Sequence, residues 1–123
     1  MRVLLDTNII IYREADRIVF REIGDLFYWL DRLHYNKYVH PLSIKEIEGY
    51  KDAKVVATFK AKIASYNILN VEAPETPEIQ AIRNKYDTNP NDTIDTSLLK
   101  EVFSNRVDVL ITEDKKYMRR LRN

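Results

Sequence analysis

Two short apolar runs lie near opposite ends of the chain, and each runs out into acid. Val3-Leu4-Leu5 is followed by Asp6, and Val109-Leu110-Ile111 by Thr112-Glu113-Asp114. Runs this short and this continuous read as buried strands, apolar on both faces, as in a parallel sheet. Between them, segments of helical period alternate with further short apolar pieces. That alternation restricts the chain to an α/β fold with a parallel sheet. In such sheets, sites gather beyond the carboxyl ends of the strands. Asp6 and Asp114 both fall there.

The elements follow from spacing. Residues 2–5 are a strand, and Ile9-Ile10-Ile11 continue as a turn of helix or an extended piece. Ile18, Ile23, Leu26, Phe27, Leu30 and Leu33 recur at helical spacing over 17–35. A strand at Tyr38-Val39 stops before Pro41. Ser43 opens a helix as far as Tyr50, and Val55, Val56, Phe59 and Ile63 make the stripe of another over 52–65. Residues 68–71 read as a third strand. Pro74 and Pro77 bracket a loop and a helix start, and that helix reaches Tyr86. After the turn Thr88-Asn89-Pro90-Asn91, a helix spans 92–103, followed by the strand at 109–111 and a short basic helix.

Composition excludes several function classes. At 123 residues the chain makes one domain with one core. A 45% hydrophobic and 32% charged make-up is that of a folded domain. With no cysteine and only His34 and His40, a thiolate or His-rich zinc site is not expected. Any metal would take oxygen ligands, which favours Mg²⁺ or Mn²⁺. Gly24 and Gly49 are the only glycines, too few for a phosphate-binding loop. No stretch approaches the roughly 18 apolar residues of a membrane span. Nothing at the N-terminus reads as a signal peptide, so the default compartment is the cytoplasm. The net charge of +1 hides a basic end, with Lys115, Lys116, Arg119, Arg120 and Arg122 after the last acid.

Each carboxylate also has a plain structural explanation. Asp6-Thr7-Asn8 can cap the next helix. Ser43-Ile44-Lys45-Glu46 has the form of a capping box, with Glu46 reaching back to the helix start. Glu48 faces elsewhere. Asp92 and Asp95 share one face of their helix and sit near its N-terminus, where the dipole favours acids. Yet neighbouring acids repel, and a cation relieves that. Asp95 also lies one turn before Leu98 and Leu99, close to the buried face.

Taken together, these residues resemble the PIN-domain nuclease family. The resemblance spans the whole chain. It rests on Leu4-Leu5-Asp6-Thr7-Asn8, Ser43-Ile44-Lys45-Glu46-Ile47, Asn91-Asp92-Thr93-Ile94-Asp95 followed by Leu98-Leu99, and Val109-Leu110-Ile111-Thr112-Glu113-Asp114. It implies a Rossmann-like α/β/α sandwich whose acidic pocket binds Mg²⁺ or Mn²⁺ and hydrolyses phosphodiester bonds, usually of RNA. Asp6, Glu46, Asp95 and Asp114 match the family's acidic quartet, and Asp92 an extra acid found in part of the family. Asn8 and Thr112 match its supporting polar positions. One feature departs from the pattern. Such domains continue past the last acid into one more strand, whereas this chain stops at Asn123. The expectation is either a sheet without its usual last strand or a truncated piece of a longer protein.

The expected activity is therefore that of a metal-dependent ribonuclease. Asp6, Asp92, Asp95 and Asp114 are the candidate metal ligands, with Glu46 positioning or deprotonating water. Arg13, Lys115, Lys116 and Arg119 are candidates for holding the polyanion, and Tyr12 for stacking on a base. Phe27, Tyr28 and Trp29 read as core or interface. Relatives of this size include toxin ribonucleases paired with an antitoxin, so a protein partner or a homodimer is a further expectation. The alternative is a non-catalytic PIN-like module that binds RNA or protein.

Overall fold

The computed structural model describes residues 1–14, 21–70 and 72–112. Four strands, β1 (Arg2–Leu5), β2 (Asn36–Val39), β3 (Asn67–Ile68) and β4 (Val109–Ile111), form one sheet in the order β3-β2-β1-β4. Every pairing is parallel, with Leu4 opposite Tyr38 on one side and Leu110 on the other. Six α-helices connect them among the described residues: α1 (Thr7–Glu14), α2 (Arg21–Arg32), α3 (Pro41–Glu48), α4 (Ala53–Lys62), α5 (Pro77–Tyr86) and α6 (Pro90–Phe103). The fold is thus α/β with a parallel sheet. None of these helices is long and apolar enough to cross a membrane.

The strand order creates the site's location. From β1 the chain steps outward to β2 and then β3, crossing through α1–α4. It then returns through α5 and α6 to place β4 on the far side of β1. Right-handed crossovers require the two sets of helices to cover opposite faces. The core divides accordingly. Val3 and Leu5 point to one face and pack with Ile9, Ile10, Phe27, Ile47, Val55 and Phe59. Leu4 points to the other and packs with Leu69, Leu98 and Val107. The crossover direction reverses at β1, between β2 on one side and β4 on the other, which opens a crevice at the strands' carboxyl ends.

Helix starts differ from the sequence reading in two instructive places. α3 begins at Pro41, with His40 as its N-cap, its Nδ1 accepting the Leu42 N–H at 3.0 Å. Proline suits the first helical position because that position has no intrahelical use for an N–H. Ser43 is therefore inside the first turn and the expected capping box does not form. α6 likewise begins at Pro90, capped by Asn89. α2 ends at Arg32, before Leu33, and His34 turns the chain at φ 57°. Leu33, placed on the apolar stripe by its spacing, is exposed, as are Tyr28 and Trp29, while Phe27 is buried. β3 is shorter than 68–71: Leu69 still donates to the Val39 carbonyl, and Val71 lies outside the described residues.

Candidate functional site

Asp6 lies just past β1, only 5% exposed. Its N–H donates to the Ile111 carbonyl at 3.0 Å, extending the β1–β4 ladder by one bond. This fixes the backbone from which the carboxylate projects. Oδ1 accepts the Thr7 N–H at 2.8 Å, and Oδ2 accepts the Thr112 hydroxyl at 2.6 Å. The second bond spans the crevice between two strand ends 106 residues apart. The Asp6 carbonyl also accepts from Ile9 and Ile10, so Asp6 opens α1 through its backbone. The backbone carbonyl does the capping, and the carboxylate is bound separately by Thr7 and Thr112.

Glu46 reaches the same place from α3. Its Oε1 accepts the Thr7 hydroxyl at 2.6 Å, and the Ser43 hydroxyl lies 2.9 Å from that same Thr7 oxygen. Thr7 has one hydroxyl proton and gives it to the carboxylate, so Ser43 must donate to Thr7. The result is a chain from Ser43 through Thr7 to Glu46, with Thr7 also holding Asp6 by its N–H. Burial pushes the Glu46 carboxyl above its ordinary pKa, the Thr7 hydrogen bond opposes that, and the nearby Asp6 charge adds to it. Among the described residues, Glu46 has no cationic partner. Thr7 and Ser43 were not marked as site residues by the sequence. The signal was present in Thr7 following Asp6 and in Ser43 lying three before Glu46, but it read as capping chemistry.

The acids of α6 divide. Asp92 is buried, and its Oδ2 accepts both the N–H (3.0 Å) and the hydroxyl (2.8 Å) of Thr88. Its own N–H donates to the Asn89 side chain at 3.0 Å. Asp92 thus clamps the turn that starts the helix. Asp95 is half-buried in the next turn, one turn before Leu98, which packs on Leu4 of β1. A second network holds this helix in place. Arg83 of α5 bonds Glu75, Asp87, Ser97 and the Thr93 carbonyl, and Thr96 donates to Asp87 at 2.7 Å.

Among the described residues, Asn8, Tyr12 and Arg13 do not join the group around Asp6 and Glu46. Asn8 is exposed in the first turn of α1. Arg13, in its last turn, lays its guanidinium 5.3 Å from the Phe27 ring centroid, so its position is set by packing. Tyr12 packs partly buried against the core, which does not suit an open stacking platform. Asp114, with Glu113, Lys115, Lys116 and Arg119, lies outside the described residues. Among the described residues no group of three or more acids or histidines comes together as a metal cluster. What the fold does bring together is Asp6, Glu46, Thr7, Ser43 and Thr112.

His40 ends β2 as Asp6 ends β1. It is fully buried, and desolvation lowers its pKa to about 4, so the ring is neutral near pH 7. Its Nε2 lies 3.8 Å from Glu72. A separate polar cleft of about 300 Å³ opens at the opposite, amino edge of the sheet, near His34, Asn36 and Asn67. The single carboxylate lining it, Asp31, is paired with Lys37, so it offers no acidic pair.

No protein-family model matches the chain, and no curated protein matches it. The functional reading therefore rests on the site itself.

Proposed function

We propose that this protein is a divalent-metal-dependent nuclease of PIN-like type, acting on phosphodiester bonds of RNA. The observation that carries the reading is the joining of Asp6 and Glu46 through Thr7 at the carboxyl edge of the sheet. Glu46, raised by burial and by the neighbouring Asp6 charge, shares Thr7 with Asp6, and two carboxylates brought this close suit a hard cation. The donor chemistry fits Mg²⁺ or Mn²⁺, which keep several waters and need few protein ligands. Asp6 would hold the cation, with Glu46 beside it as the base. Asp95 and Asp114 are the further candidates from the resemblance, and Asp92 is the weaker one because Thr88 takes its carboxylate. When bound, the cation would polarise the phosphoryl group and offset charge on its oxygens.

The chain's own residues supply the rest. Thr112 and the Thr7 N–H hold both Asp6 oxygens in fixed directions, so the carboxylate does not reorganise during reaction. The Thr7 hydroxyl occupies Glu46 Oε1 and leaves Oε2 as the base. A carboxylate whose pKa is raised by burial accepts a proton better than an exposed one. Water attacks phosphorus, its proton passes to Glu46, the bond to the leaving oxygen breaks, and that oxygen takes a proton from solvent.

Asp6→Asn tests the reading. The variant should remain folded by circular dichroism and lose at least about 100-fold of Mn²⁺-dependent cleavage of single-stranded RNA, the scale of losing a charge-stabilising group. Undiminished cleavage by that variant would sink the proposal.

A further inference from the structure

Charge is not spread evenly over the protein. Several basic side chains are tied up in ion pairs: Arg2 with Asp108, Lys37 with Asp31, Arg83 with Glu75 and Asp87, and Lys100 with Glu75. The α3–α4 unit is different. Lys45, Lys51, Lys54 and Lys60 are exposed, and among the described residues none of the four makes an ion pair. α4 itself, Ala53–Lys62, holds three lysines and no acid. Its Val55 and Phe59 are buried against the core, which turns Lys54, Ala57, Lys60 and Ala61 outward. Within α4 the exposed residues between the lysines are the small Ala57 and Ala61; the exposed acids of the unit are Glu48 and Asp52, so lysines outnumber them.

We infer that the outer face of α3 and α4 is a track for the backbone of a single-stranded nucleic acid, leading away from the Glu46 site. Lys45 is exposed on the helix that carries Glu46. Lys51 follows, beyond the exposed Glu48 and next to the exposed Asp52, and on α4 Lys54 and Lys60 are separated by about 9 Å of helix rise. Unpaired lysines without apolar anchors suit phosphates, which are bound mainly by charge. A protein partner would need a buried apolar centre, and this face has none. The acids of the site repel a polyanion, and the track supplies the attraction that would bring one there. The choice of ligand class rests on the nuclease reading; the segregation of charge does not.

The test measures binding apart from cleavage. A labelled single-stranded RNA of about 12 nucleotides is titrated in EDTA, from about 50 to 200 mM salt. Each phosphate contact on a single strand contributes a log–log salt slope of about 0.7. The combined substitution Lys51→Gln, Lys54→Gln, Lys60→Gln should therefore lower the slope by about 2, making the affinity lost over that range about 20-fold smaller. Lys54→Gln alone should lower it by about 0.7. Lys85→Gln, on an exposed lysine of α5, should leave it unchanged. A wild-type protein that binds no RNA, or a combined variant with an unchanged slope, overturns the track. Equal displacement of the RNA by an oligoglutamate of matched charge overturns its assignment to nucleic acid. RNA binding that depends on these lysines in a protein that cleaves nothing supports the track and defeats the nuclease reading. Cleavage with a slope indifferent to the lysines does the reverse.

Discussion

Thr7 holds more of the site than its small side chain suggests. Its N–H fixes Asp6 and its hydroxyl fixes Glu46, while Ser43 fixes the hydroxyl. The hydrogen bond to Glu46 works against burial and lowers a pKa that burial raises. Removing it with Thr7→Val must push Glu46 further up. If Glu46 acts as a base, activity requires its ionised form, and the acid limb of the cleavage profile should move to higher pH. Thr7→Ser should keep the wild-type limb. An unmoved limb in the valine variant would mean that Glu46 is not the titrating base. The valine variant should also cost about 1–3 kcal/mol in denaturant unfolding, because Ser43 is buried and loses its acceptor.

At the scale of elements, helix starts place the chemistry. α3 is set by His40 and Pro41, which moves Ser43 into the first turn and frees Glu46 to face α1. The cap works only while His40 Nδ1 is unprotonated. The folded protein holds the ring's pKa at about 4 against an ordinary 6.5. The unfolded chain therefore takes the proton first as pH falls. The stabilisation is complete above about pH 6.5 and is lost progressively between about 6.5 and 4, up to about 3 kcal/mol before solvent screening. His40→Asn keeps an acceptor for Leu42 without titrating, and its unfolding free energy should fall less over that window. Equal acid losses in both proteins would count against this account. α6 gives the complementary case. Asp92→Ala should cost about 1–2 kcal/mol by releasing Thr88 and the first turn. It should leave Mn²⁺ affinity unchanged by calorimetry, whereas Asp95→Asn should weaken it. The reverse pattern would reassign the ligand.

At the scale of the molecule, two helical layers meet across β1. One packs α3 through Ile47 against the Val3 and Leu5 side, and the other packs α6 through Leu98 against Leu4. Leu4 and Leu98 make that second contact, both with no exposed surface. Leu98→Ala should destabilise by about 2–5 kcal/mol. It should also reduce cleavage by more than the folded fraction explains, if α6 positions a ligand. Activity that simply follows the folded fraction would show that α6 supports the fold alone.

The strand-and-helix order was legible along the chain, because burial on two faces writes a continuous apolar run and burial on one face writes a helical period. β1 was readable for that reason, as was Asp6 after it; β4 also reads as an apolar run, yet Val109 is exposed. Two kinds of fact were not legible. Ser43-x-x-Glu46 looks like a capping box in any one-dimensional reading, and only His40 and Pro41 at the true helix start show otherwise. Asp92 and Asp95 are the same residue type three apart, and only Thr88 reaching Asp92 separates them. The bonds that make the site join Thr7 to Glu46 across 39 residues and Thr112 to Asp6 across 106. By itself the sequence determined the order of strands and helices and that Asp6 follows β1. The tertiary structure decided that Asp6 and Glu46 meet on Thr7, one through its N–H and the other through its hydroxyl, because that depends on where the crossovers lay α1, α3 and β4 against one another.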